Sequence, residues 1–211
     1  MAALRLAVLS GGLSQPSSSR LLADRLGDAT ATALRDRGHD VEVTTIELRD
    51  LAREITDDLL TGFPAPSLDK AIADVTGADG LVAVTPTFSA SFSGLFKSFV
   101  DVIEPARFAR LPVLMGATGG SARHSLVLEH ALRPLFAYLK AETAPTGVYA
   151  ASEDWAADGE RGLQHRVDRA GEEFAAIIER SAGTRPQWDP FALDAGELLG
   201  PGGLAGGYSN D

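Results

Sequence analysis

LRLAVLSGGLSQPSSSR, residues 4–20, runs from an apolar segment straight into a turn of glycine, proline and serine. Leu4–Leu9 is a short apolar run and reads as a buried strand. The residues after the turn, Ser19–Arg37, carry Leu21, Leu22, Leu26, Ala29, Ala33 and Leu34 at near-helical spacing. Gly38 stands where such a helix should stop. A buried strand, a small polar turn and an amphipathic helix are the opening of an α/β unit, and the rest of the chain repeats the pattern.

Val41, Val43 and Thr45 alternate with polar neighbours and lead to Ile46, a second strand. Residues 47–66, ELRDLAREITDDLLTGFPAP, are charged and end in prolines, and read as a loop with one helical turn. Ser67–Gly77 is expected to be a helix capped by Ser67. Gly80–Thr85 is a third, continuously apolar strand, followed by a helix over Phe92–Ile103. Leu111–Ala117 is a fourth strand, and Arg123–Leu139 a helix that Pro134 should kink. Thr143–Tyr149 reads as the fifth strand, Ala151–Gly159 as a polar loop, and Leu163–Arg180 as the last helix. Right-handed crossovers then favour a flavodoxin-like α/β fold over residues 1–181: a doubly wound, five-stranded parallel sheet of order 2-1-3-4-5. Residues 182–211 form a Gly/Pro-rich tail, in which Trp188 and Phe191 are the candidates to tack it onto the body or a neighbouring subunit.

Composition narrows the function. The formal net charge of −10, with no basic cluster, argues against a nucleic-acid partner. There is no cysteine, which removes disulfides, thiolate metal sites and cysteine nucleophiles. His39, His124, His130 and His165 show no ligand spacing, so a metal site is not expected. No apolar run approaches the roughly 20 residues of a membrane span. MAALRLAVLSGG lacks a cleavage-site pattern, and a cytoplasmic protein is expected.

In a sheet of this order, ligands bind beyond the carboxyl ends of the strands, where the order reverses. Three loops meet that description. The first is residues 10–20. Its helix N-terminus carries about half a positive charge and unpaired amides, to which Ser14, Ser17, Ser18 and Ser19 add hydroxyls. It holds neither GxxxxGK[ST] nor GxGxxG. A monophosphate that is held but not transferred fits it; so does simple helix capping. The second loop, Thr85-Pro-Thr-Phe-Ser-Ala-Ser-Phe-Ser-Gly94, offers backbone contacts at Pro86 and Thr87 and an aromatic wall at Phe88. Phe92 is assigned to a core stripe with Phe96 and Phe99. The third, Ala117-Thr-Gly-Gly-Ser121, presents bare amides at Gly119 and Gly120. Lys97 and Asp101, four residues apart, read as a surface ion pair.

SGGLSQPSSSRLL, TPTFSASFSGLFKSFVD and GATGGSARHSL, in this order and spacing, resemble the NADPH-dependent FMN reductase family, and most nearly the reductases that feed two-component flavin monooxygenases. The middle segment resembles that family's Pro, Ser-Gly, Lys, Asp pattern at Pro86, Ser93-Gly94, Lys97 and Asp101. The resemblance implies that Ser10, Ser14, Ser17, Ser18 and Ser19 surround the phosphate of FMN. Pro86, Thr87 and Phe88 would lie along the ribityl chain and ring, and Thr118, Gly119, Gly120 and Ser121 at the pyrimidine edge. The implied reaction is hydride transfer from NADPH or NADH to flavin, with no catalytic side chain. Reduced flavin would pass to a luciferase-like monooxygenase. Two alternatives stay open: a reductase of quinones, azo dyes or metal oxyanions that keeps its FMN, and a non-enzymatic electron carrier. Two departures stand out: many relatives carry an Arg near Ser14 or Ser18, and some carry a Tyr in a distorted helix where this chain has His130. A homodimer or homotetramer is expected through Phe92, Phe96, Phe99, Val100 and Ile103.

Overall fold

Strands that are apolar on every residue need cover on both faces, and the fold supplies it. The computed structural model describes residues 3–156 and 162–185. Its strands are β1 (Leu4–Ser10), β2 (Val41–Glu47), β3 (Gly80–Phe88), β4 (Ser91–Phe92), β5 (Pro112–Gly119), β6 (Glu142–Thr143) and β7 (Val148–Ala151). The helices are α1 (Ser18–Asp36), α2 (Ala52–Thr61), α3 (Pro66–Thr76), α4 (Gly94–Asp101), α5 (Arg133–Tyr138) and α6 (Leu163–Ser181). The sheet runs β2-β1-β3-β5 and then β6 and β7, both parallel to β5. Counting β6 and β7 as two pieces of one strand, and setting aside the short antiparallel arm β4, this is the expected 2-1-3-4-5 order.

Side chains alternate between two cores. Leu9, Ala83 and Met115 face α2 to α5, among Ile55, Ile72, Phe96, Phe99 and Phe136. Leu6, Val8, Val82, Val84 and Leu114 face α1 and α6, among Leu22, Leu26, Phe174 and Ile178. Phe96, Phe99, Val100 and Ile103 are thus core residues, and Phe92 packs half-buried against them. The stripe expected to form a subunit interface is consumed inside the subunit.

Other expectations need correcting. Residues 47–66 hold a 3-10 turn, Leu48–Leu51, and then the ten-residue helix α2, closed by Gly62 in the left-handed region (φ 74). Ile55 is fully buried, and that contact decides the helix despite its charged neighbours. Ser67 is not a cap. Ala65 occupies that position, Pro66 takes the first turn where no N–H is needed, and the Ser67 hydroxyl donates to Glu54 at 2.6 Å. α4 starts at Gly94, because Ser91–Phe92 folds back onto β3 and Ser93 caps the helix by accepting from Phe96 N–H. Arg123–Leu139 is not one kinked helix. It splits into a 3-10 turn at Ala122–His124, a π turn at Leu128–Leu132 and α5, whose first turn contains Pro134. The Arg133 N–H reaches back five residues to the Leu128 carbonyl. His130 lies exposed on this π turn. The fifth strand breaks between Thr143 and Val148, where Pro145 has no N–H to give the ladder.

α6 lies directly against α1. A Cβ on Gly171 would stand 2.8 Å from the backbone carbon of Ala29 and 2.9 Å from Thr30 N, so only glycine permits this approach. Beyond α6, Arg185 donates to the carbonyls of Ala78 (2.8 Å), Arg107 (2.9 Å) and Thr76 (3.1 Å) and ties the helix end to the amino edge of the sheet. Trp188 and Phe191 lie outside the described residues.

Gly171→Ala should destabilise the protein by about 1–2 kcal/mol: overpacking against backbone outweighs the gain in helix propensity. A urea midpoint equal to or above that of the parent would contradict the rigid α1–α6 seam.

Candidate functional site

Three loops leave the carboxyl edge of adjacent strands, and specific bonds hold them together. Gly11 N–H donates to the Val84 carbonyl at 2.7 Å, joining the first loop to β3. Ser93 N–H donates to Thr85 Oγ1 at 3.0 Å, and Ser93 Oγ lies 3.4 Å from the Gly11 carbonyl. The hydroxyls of Ser19 and Thr118, both buried, share a 2.7 Å hydrogen bond between the first loop and the third. Gly12 lets the first loop fold on itself, since a Cβ there would overlap Ser17 Oγ.

The result is one cleft of about 420 Å³, within the range of cofactor sites. Ten of the twelve expected residues line it: Ser14, Ser17, Ser18 and Ser19 from the first loop, Pro86, Thr87 and Phe88 from the second, and Thr118, Gly119 and Gly120 from the third. Ser10 and Ser121 do not. Ser10 is buried at the end of β1 on the α1 side, and its hydroxyl has no hydrogen-bond partner. Ser121 serves through its carbonyl, which accepts from the Tyr149 hydroxyl at 2.9 Å. Gly12, Leu13, Ala150, Ser152 and Trp155 complete the lining and were not among the expected residues. The first two sit inside the serine loop itself. Of the other three, Ala150 lies in β7 and Ser152 and Trp155 just after it, where the strand boundary expected at Tyr149 hid them; a tryptophan in a polar loop was the available signal.

The loops bring different chemistry to the cleft. In the first, Ser17 caps α1 by accepting from Arg20 N–H at 3.2 Å, and Leu21 N–H goes to the Ser17 carbonyl. The amides of Ser18 and Ser19 are left at the mouth of the helix, with no acidic residue in its first turn. Arg20 does not serve this end: its guanidinium is bonded to Asp24 (2.8 Å) and Glu47, and these bonds hold its pKa above the usual value. The second loop and the turn after β7 bring apolar surface to the same cleft, with Pro86, Phe88 and Trp155. Gly120 has no atom within 4 Å of a built Cβ, so its backbone is open. Thr87 Oγ1 is buried beside the Tyr149 hydroxyl. Among the described residues, none that lines the cleft is titratable.

Hydroxyls and helix amides of the first loop, together with the apolar side chains of Pro86, Phe88 and Trp155, fit a planar ring carrying one phosphate. Lys97 and Asp101 stay outside, as an exposed pair on α4.

The sheet order, with a cleft at its carboxyl edge, defines a flavodoxin-like α/β protein. Residues 4–156 match the family described as NADPH-dependent FMN reductase, and the chain belongs to that family of oxidoreductases. It is 39% identical over 153 residues to the NADH-dependent FMN reductase SfnE of Pseudomonas putida, covering 72% of this chain and 80% of that protein. It is 34% identical over 151 residues to an FMN reductase (NADPH) of Pseudomonas aeruginosa, covering 72% and 78%. Among solved structures, an oxidoreductase from Corynebacterium diphtheriae is 41% identical, with a TM-score of 0.81 over 85% of this chain and 99% of that one.

Burial pushes the Tyr149 phenol pKa up; the Thr87 hydroxyl partly offsets this, and the charges of Glu153 and Asp154 add to the rise. Only the protonated phenol can donate to Ser121. Its contribution is therefore whole below about pH 10, the ordinary tyrosine value, and is lost as pH rises through the higher folded value. Tyr149→Phe should cost about 1 kcal/mol at pH 8. The gap to the parent should shrink as pH rises above about 10 in urea titrations. A gap that widens with pH would contradict the assignment.

Proposed function

We propose that the cleft holds FMN with its phosphate at the mouth of α1 and its ring between the second and third loops. On this reading the protein reduces that flavin with NADPH or NADH and hands it to a luciferase-like monooxygenase. The observation that carries the reading is the meeting of the serine-capped helix end and the apolar side chains in one cleft, across loops far apart in sequence. FMN, when bound, supplies the ring that accepts a hydride from the nicotinamide. The chain's own residues bind and orient. Amides and hydroxyls of the first loop hold the phosphate, Phe88 and Pro86 cover apolar surface, and the third loop, with its open backbone at Gly120, meets the polar edge.

Relatives named for NADH and for NADPH are both close in sequence, and both nicotinamides belong in the assay. The likeness of the three loops to reductases of two-component systems supports the monooxygenase partner. Assembly into a homodimer or homotetramer is part of the proposal, through surfaces other than the buried Phe stripe. Exposed Leu126 and Tyr138 are available to it, and a monomer by sedimentation at micromolar concentration would remove it. No helix among the described residues is long and apolar enough to cross a membrane.

Purified protein should bind FMN and oxidise NADH or NADPH only when flavin is present, with rate following free flavin concentration. Flavin that stays bound through gel filtration, with turnover of quinones or azo dyes but not of added flavin, would favour the tight-FMN reductase instead. Binding of FMN without nicotinamide oxidation would favour a carrier.

The phosphate end has its own test. Ser18→Asp puts a carboxylate on an exposed first-turn position that the helix dipole tolerates well, so folding should hold. The same charge faces the ligand phosphate. FMN affinity should fall by about tenfold or more, while riboflavin, which has no phosphate, should change little. Equal losses for both flavins would move the phosphate elsewhere.

A further inference from the structure

The aromatic residue that follows β7 has no role in the reading so far. Trp155 sits in a 3-10 turn, Ser152–Ala156, that is fastened at several points. Asp154 accepts from Ala151 N–H at 2.8 Å, and its other carboxylate oxygen pairs with Arg166 at 2.8 Å. Arg166 also donates to the Tyr149 carbonyl at 2.8 Å, so α6 and β7 grip the turn from both sides. Trp155 is half-buried against the α1–α6 core and lines the cleft. The Arg25 guanidinium of α1 lies over the indole, 5.2 Å from the ring centroid. A cation over one face fixes the plane of an indole.

A surface residue needs no such fastening, and a core tryptophan would not open onto a cleft. Phe88 and Trp155 are the two aromatic side chains in the lining, on separate loops. From this arrangement we infer that Trp155 is a stacking wall for the flavin ring, held in place by Arg25 and by the Asp154–Arg166 pair as positioning residues. The inference rests on the reading of the cleft as an FMN site. Large flat indoles gain most of their contact energy against flat rings, through offset stacking over the full ring area.

The test uses full-length protein and FMN, with two variants. Trp155→Phe keeps a flat ring, and Trp155→Leu removes it. FMN affinity should fall about tenfold in Trp155→Leu and less than about threefold in Trp155→Phe, the range of ring-stacking contacts. A second readout does not depend on affinity. Indole in contact with a flavin quenches its emission by electron transfer, whereas phenylalanine is a poor donor. At saturating protein, bound FMN should be dark in the parent and several-fold brighter in Trp155→Phe. Unchanged emission in Trp155→Phe, together with parental affinity in Trp155→Leu, would overturn the inference and leave the FMN site standing. An unchanged FMN affinity with a raised KM for NADH or NADPH would also overturn it, by placing the indole against the nicotinamide. A parent protein that binds no FMN would overturn the functional reading and this inference together.

Discussion

The hydrogen bond between the Ser19 and Thr118 hydroxyls joins residues 99 positions apart at the floor of the cleft. It can form only because β1, β3 and β5 pair in parallel with Ser10 beside Val84, and Val84 beside Gly116. That register brings the end of each strand, and the loop it feeds, to one edge. The apolar run of each strand sets the register in turn, since a one-residue slip would send Leu9, Ala83 and Met115 to the wrong core. The site thus depends on the sheet, and the sheet on uninterrupted burial of its two faces.

An electrostatic choice follows from the same geometry. At the proposed phosphate end, the one cation of the first loop, Arg20, is turned toward Asp24 and Glu47. Attraction for an anion there comes from helix amides and hydroxyls, which are fixed dipoles. Such a site recognises the shape and hydrogen bonding of a phosphate more than its charge. A protein of net charge −10 still repels anions at long range, so binding relies on short contacts within the cleft.

Much of this was legible in the residues. LRLAVL followed by SGGLSQPSSSR marked both the first strand and the loop, and ten of twelve site residues line the cleft. The failures have physical causes. α2 was missed because the dense charge of residues 47–58 hid one decisive buried contact, Ile55. Ser67 reads as a cap by residue type, yet Pro66 had already begun the helix. Ser10, which the family resemblance put beside the phosphate, has a buried side chain and is not among the residues lining the cleft. The Phe stripe of α4 suggested an interface because local spacing cannot say how much core a sheet offers; α2, α3 and α5 close over it.

By itself the sequence determined the alternation of strands and helices, the three polar loops and the lack of a lysine in the first of them. These are local properties, set by hydrophobic period and by what glycine, proline and serine do to a backbone. Tertiary structure alone decided that Arg20 turns away, that Tyr149 tethers the third loop, and that Trp155 reaches the cleft with Arg25 over its ring. Each of those depends on which distant side chain arrives within a few ångströms. A pairing across the fold leaves no periodic mark in the chain, because the free energy that selects it belongs to the assembled core.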